Sequence, residues 1–260
     1  MTLENSLPDP NRIPVRCIIL NISPFMHDIP PIYRLEILRE LKLMLRRISL
    51  QGGRLVESAK GVSIIWDWGD CTEQDKDLTS PAEVSGILAS FFNKKRESKQ
   101  NLQDTAPNNT QDEVSDMLEA RTKEPAFKDA IAKATGIAYK VMQICEDLSE
   151  KPHDNAAPSW KERFGLKTPL LCRFGLCHGK LFNVGNGLNG LSLDVAADMA
   201  RMAPLGGLAC GPMVMNALEI LLKTPESILG MRATSPKITS LDMQLIPSAQ
   251  IECPLWEIRF

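Results

Sequence analysis

Apolar positions fall along this chain in two kinds of pattern, short continuous runs and longer stretches at three-to-four spacing. Val15 to Leu20 is an apolar run rich in branched residues, the pattern of a strand buried on both faces. Pro30 and Pro31 then open a segment, Ile32 to Leu50, in which Leu35, Leu38, Leu41, Leu45 and Ile48 recur with charges between them. This predicts an amphipathic helix with one core face. Gly52-Gly53 stops it, and Leu55 to Ile65 supplies two short strands around Ala59 to Gly61. Asp67 to Asp77 is acidic and polar, Pro81 to Phe92 reads as helical, and Asn93 to Gln111 has almost no apolar content. That last stretch is expected to be a solvated, mobile loop, its Lys94-Lys95-Arg96 cluster a charged solvated face. Ala126 to Leu148 resumes with Phe127, Ile131, Ala134, Ile137, Val141 and Ile144, a second core helix. Asp147 to Trp160, with Pro152 and Pro158, reads as a loop returning to an apolar strand, Cys172 to Cys177, that ends in His178-Gly179. After a glycine-studded turn, Leu191 to Met202 places small and apolar residues at helical spacing. No internal repeat recurs at a fixed period.

These elements predict an α+β domain, a mixed or antiparallel sheet with helices mainly on one face. One domain over 1–260 is expected, with 75–125 as an insertion carrying the polar loop 93–111.

Composition sets few limits. A chain of 260 residues with 43% hydrophobic content can bury one good core. A net charge of −2 offers no electrostatic footprint for nucleic acid or a membrane surface. The opening MTLENSLPDPNRIP is polar and proline-broken, and no stretch nears the roughly 18 apolar residues of a membrane span, so the expectation is a soluble cytoplasmic protein. The 7 cysteines form no CxxC pair and sit mostly inside apolar runs, which reads as reduced, buried thiols. Cys172, Cys177 and His178 do not suit a metal, because neighbouring strand residues point to opposite faces and a fourth ligand is missing. Met199, Met202, Met213 and Met215 read as core filler, and Trp66 and Trp68 as packing aromatics. His178 reads as a sheet-end histidine, while His27 lies nearer the candidate site.

The segment Arg173 to Asp198, RFGLCHGKLFNVGNGLNGLSLDVAAD, resembles the class III nucleotidyl cyclases, the adenylate and guanylate cyclase family. There the corresponding stretch reads approximately RIGIHTGxxxxGxxG, a turn, then GxxVNxAARL. Arg173-Phe174-Gly175-Leu176 and Gly179 stand for the strand and its glycine, Gly190 for the turn glycine, and Asp194 to Met199 for the helix. Val15 to Phe25 is similar to the family's first strand and turn, and Gly52 to Trp66 to its hairpin GGxxxKxxGDxxxxxF. Glu252 to Phe260 is similar to the last strand, so the likeness spans the chain except for roughly 75 to 125. The order of four motifs carries the resemblance, since each glycine-strand pattern alone is common. It implies the ferredoxin-like catalytic-domain fold of class III cyclases and head-to-tail dimers with sites at the interface. A homodimer, or a heterodimer with another cyclase-like chain, is the partner it implies.

The family's chemistry brings a ribose 3′ oxygen onto the α-phosphorus with two metal ions held by two aspartates. By the resemblance those positions are Asn21, a weaker neutral ligand, and Val62, which ligates nothing, whereas Mg2+ or Mn2+ demands hard oxygen ligands. Pro24 stands where the triphosphate turn has glycine and removes a backbone donor, while Phe25 remains. The family's transition-state asparagine and arginine correspond to Asp194 and Asp198. Against a triphosphate each carboxylate would repel by about 1 kcal/mol in water and about 4 kcal/mol in a partly buried site. The base-recognition lysine corresponds to Ser58 and its acidic companion to Gly187.

Three readings follow. The favoured one is a degenerate, catalytically inactive cyclase-like domain acting as a regulatory or assembly module in signalling, with no cofactor. An active cyclase with displaced ligands would use Asp28, Asp67 or Asp70 for Mg2+ or Mn2+. A non-catalytic sensor would bind a nucleotide or other small molecule in the vestigial cleft, with Asp194 and Asp198 favouring a neutral or cationic ligand.

Overall fold

The computed structural model describes residues 14–27, 29–58, 61–70, 120, 122–150, 158–184, 187–223 and 236–259. The first strand, β1 (Val15–Pro24), runs through the centre of an eight-stranded sheet, as its branched apolar run demands. It is followed by α1 (Pro31–Arg47), the hairpin β2 (Arg54–Ser58) and β3 (Gly61–Asp70), and the long helix α2 (Pro125–Glu150). A short helix α3 (Trp160–Phe164) precedes β4 (Cys172–Val184) and the short β5 (Gly187–Asn189). Then come α4 (Leu191–Met202), β6 (Gly207–Cys210), α5 (Pro212–Leu221) and the closing hairpin β7 (Lys237–Ile246) and β8 (Ile251–Arg259).

The strand order is β2-β3-β1-β4-β6-β8-β7, with β5 paired to the far end of β4. Every pairing is antiparallel except β4 with β6, whose parallel join needs the α4 crossover between them. This is the expected α+β architecture with a mixed, mostly antiparallel sheet. The expected insertion 75–125, with its helix 81–92 and its loop 93–111, lies outside the described residues apart from 120 and 122–125.

Alternation along the strands divides the core in two. Ile18, Leu20 and Ile22 of β1, Val62, Ile64 and Trp66 of β3, and Phe174 and Leu176 of β4 face α1, α2 and α5. Cys17 and Ile19 of β1, Ile65 of β3, and Cys177 and Leu181 of β4 face α4, whose Ala196 and Met199 close over them. Three of the longer helices therefore share one face, as the sequence predicts, and one lies on the other. A third cluster joins Ile37 of α1 to Trp160 and Phe164 of α3.

α4 lies close against the sheet because β4 has no side chains beneath it at two points. A Cβ on Gly175 would run into the carbonyl oxygen of Ala196 and the nitrogen of Ala200, and one on Gly179 into the Ser192 hydroxyl. The helix thus runs back along β4, with Ser192 over Gly179 and Ala196 to Ala200 over Gly175.

Two readings of the pattern change. Leu35, placed by spacing on the core face of α1, is 78% exposed, and the buried residues are Ile37, Leu41 and Leu45. The loop expected over Asp147 to Trp160 is shorter, because α2 reaches Glu150 and Ser159 caps α3 through a capping box with Glu162. All six described cysteines are free and buried, as predicted; Cys71 is not described. Met199, Met213 and Met215 are core residues. Trp66 is buried against the helical face, and Trp68 meets Phe127 edge-on at 5.0 Å.

Candidate functional site

The positions named by the resemblance divide between the two ends of the sheet. Asn21 lies near the end of β1, paired with Gly175 of β4 on one side and Ser63 of β3 on the other. It is wholly buried, and its Nδ2 donates to the Ser63 hydroxyl at 3.0 Å. Its Oδ1 has no hydrogen-bond partner, and the backbone of Gly61 passes close by. Val62 is also wholly buried but points to the opposite face, into the α2 side of the core beside Ile22. Asn21 and Val62 therefore do not converge, and the residue sharing the face of Asn21 across the pair is Ser63. This is a one-residue difference in register, which in a strand exchanges the two faces.

These residues do not fit a divalent metal site of the family's kind. A hard cation needs several convergent oxygens, preferably anionic, and this place offers an amide and a hydroxyl already bonded to each other. Among the described residues no group of three or more His, Cys, Asp or Glu is placed to hold a metal ion. Asp67, a displaced-ligand candidate, is bound to Arg54 and accepts the Cys17 thiol at 3.2 Å. It lies four residues along β3 from Ser63, about 13 Å away. Asp28 and the side chain of Asp70 lie outside the described residues.

Asp194 and Asp198 stand on α4, one turn apart. Asp194 is in the first turn, where a carboxylate is favoured by the helix dipole. Asp198 is almost fully buried and accepts the Ser248 backbone N–H at 2.8 Å, in the turn joining β7 to β8. It also pairs with Arg201 Nη1 at 3.2 Å. Its charge is thus committed to holding the closing hairpin against α4.

Ser58 closes the β2–β3 hairpin opposite Gly61, at the Asn21 end of the sheet; its side chain is not described. Gly187 is exposed on β5, paired with Val184, beyond the other end of β1. Counting along β4 from Gly175 to Val184, the two lie on the order of 30 Å apart within one chain. Phe25 is half-buried, its N–H bonded to the Leu171 carbonyl at 2.8 Å, with the Arg173 guanidinium 5.1 Å from its ring centroid. His27 is exposed, its ring 6.0 Å from that of Phe25. His178 is exposed on β4, with Phe127 as an aromatic neighbour.

Sequence reasoning missed Ser63 and Arg173 as members of this region. Arg173 pairs with Ser23 on the α4 face, and its Nη1 donates to the Arg201 carbonyl at 3.0 Å. Its Nε is buried without a partner, and no carboxylate pairs with it among the described residues. Counting alternate residues back from Gly175 and Cys177 would have placed it on this face.

Burial alone pushes the Cys177 thiol up to about 12 and that of Cys253 to about 11. Cys172 is raised well above the ordinary thiol range by its contact with Cys145 and by burial. None of these thiols suits a nucleophile's role.

No protein-family model matches the sequence, and no curated protein matches it. Solved structures do. The adenylyl cyclase CyaB from P. aeruginosa superposes with a TM-score of 0.52 at 10% identity, covering 96% of this chain and 95% of that one. The adenylate/guanylate cyclase/hydrolase from Silicibacter pomeroyi superposes with a TM-score of 0.50 at 13% identity, covering 95% and 98%. The chain therefore has the fold of an adenylate/guanylate cyclase domain over nearly its whole length. At such identity the likeness establishes architecture; function rests on the site.

Proposed function

We propose that this chain is a catalytically silent cyclase-fold domain that acts by assembling with a second cyclase-like domain, either its own copy or another chain. The observation that carries this reading is the pair Asn21 and Ser63, neutral, buried and bonded to each other where a metal-binding cyclase needs carboxylates. Val62 adds nothing from the opposite face, and Asp198 supplies a structural tie in place of a cationic clamp. The assembly half rests on the resemblance, which implies head-to-tail pairs of domains with sites at their interface.

No described helix is long and apolar enough to cross a membrane. Incubation of the purified protein with each nucleoside triphosphate and Mn2+ is expected to yield no cyclic nucleotide. Turnover abolished by Asp67→Ala or Asp28→Ala would refute the silent reading. Light scattering after size exclusion is expected to give a dimer mass, and a strict monomer at high concentration would refute self-assembly.

Arg173 favours a second reading, a sensor that binds without converting. With Asp198 paired to Arg201 and the Ser248 N–H, the Arg173 guanidinium, which has no carboxylate partner among the described residues, makes this end of the sheet better suited to an anion than the sequence implies. Thermal-shift screening tests it, since a ligand at 100 times its dissociation constant adds about 2.7 kcal/mol. A nucleotide shift lost in Arg173→Ala would support the sensor, and flat curves would leave only the assembly reading.

A further inference from the structure

α1 has a second apolar stripe, on the side facing away from the core. Ile37, Leu41 and Leu45 are fully buried, while Ile32 is 79%, Leu35 78% and Leu43 39% exposed. At 100° per residue, Ile32, Leu35, Arg39, Leu43 and Arg46 fall within about 80° of the circumference, opposite the buried face. From Ile32 to Leu43 the stripe is about 16 Å long, about three helical turns.

The charge around it is one-sided. Glu36 and Glu40 are both held by Arg163 of α3, and Lys42 and Arg46 share Glu57 of β2. Arg39 and Arg47 have no carboxylate partner among the described residues. The uncommitted charge along this face is therefore positive.

We propose that the outward face of α1 is a docking surface for an acidic amphipathic helix of a partner protein. Leucine-like side chains would cover Ile32, Leu35 and Leu43, and carboxylates flanking them would meet Arg39 and Arg47. A second copy docked two-fold through the same stripe, parallel or antiparallel, would set Arg39 against Arg39 near its centre, which like-charge repulsion opposes. A membrane surface fits less well, because the stripe is narrow, has no aromatic residue, and is interrupted by Arg39. This inference goes beyond the assembly reading and is tested separately from it.

The probe is a fluorescein-labelled designed 21-residue helix with leucine at heptad positions a and d and glutamate at e and g, titrated with the full chain by fluorescence anisotropy. Saturable binding is expected, weakened at least tenfold by Ile32→Ser/Leu35→Ser, at least tenfold by Arg39→Glu, and several-fold by raising NaCl from 50 to 500 mM. Because these side chains are exposed, far-UV circular dichroism should be unchanged in both variants. The proposal fails if the peptide does not bind, if both variants bind as wild type, or if a scrambled peptide of equal composition binds equally well. It also fails if the chain binds anionic phospholipid vesicles but not the peptide, or if Ile32→Ser/Leu35→Ser halves the particle mass by light scattering, which would make the stripe a self-interface. None of these outcomes bears on the nucleotide turnover assay.

Discussion

On the face of the sheet covered by α1, α2 and α5, the inward strand residues are Ile18, Leu20, Ile22, Val62, Ile64, Trp66, Phe174 and Leu176. On the face covered by α4, the neighbouring positions include Asn21, Ser63, Arg173, Gly175 and Gly179 beside Ile19, Ile65 and Cys177. The first face is filled with bulky side chains and stabilises the domain by burying apolar area. The second accepts a helix backbone almost in contact with the strand and buries polar groups that bond to one another. The contrast separates what the scaffold needs from what the site retains: the helical face can be ordinary core, whereas each residue beneath α4 is constrained by a particular neighbour.

The sharpest challenge to that contrast is Gly175→Val. Its branched side chain would enter the space of the Ala196 carbonyl and the Ala200 nitrogen, both backbone atoms that cannot step aside. We expect loss of at least about 3 kcal/mol, or failure to fold, by urea denaturation. A near-normal unfolding midpoint would mean α4 is not seated as described.

Next come two double variants that differ only in register. Asn21→Asp/Val62→Asp places carboxylates on opposite faces, one among Ile22 and Leu20, and should destabilise by several kcal/mol with no rescue by Mn2+. Asn21→Asp/Ser63→Asp places them side by side, so destabilisation without metal should be reversed by Mn2+ in a thermal melt. Rescue of the first pair and not the second would overturn the assignment of faces.

Asp198→Ala would leave the Ser248 N–H without its acceptor and is expected to cost about 1 to 3 kcal/mol. Amide hydrogen exchange should also quicken in the 247–250 turn, and unchanged protection there would count against the tie.

The smallest effect per residue is set by alkali and falls on the face covered by α4. Buried thiols such as Cys177, raised to about 12, and Cys253, raised to about 11, hold their protons in the folded chain beyond the ordinary value near 9. Between these limits the unfolded chain binds fewer protons, so stability falls as pH rises, by about 1 kcal/mol per such thiol one unit above the ordinary value. Chemical denaturation at pH 8 and pH 10 measures it. A flat profile would show the thiols to be accessible.

Much of this architecture was legible before the structure. Long runs with clear periods, such as Val15 to Leu20, Ala126 to Leu148 and Leu191 to Met202, are the strands and helices they suggest, because burial of one face enforces the period. β6 was missed because four residues between Gly206 and Gly211 carry too little pattern. α5 was missed because its residues are apolar nearly all round, as befits a helix with little exposed surface. β7 lies at the sheet edge with most side chains exposed, so no alternation marks it. Leu35 misled because the spacing it keeps fits the outer stripe of α1 as well as the inner one.

At the site, Asn21, Val62, Asp194 and Asp198 could be named from motif order, but not the side of the sheet each would occupy. That depends on hairpin register, which one residue reverses, and so Ser63 and Arg173 emerged only with the pairing.

The Asp198 carboxylate ties the second half of α4 to the link between the final two strands. Helix and hairpin consequently share one anchor, set on the same stretch of helix that lies over Gly175.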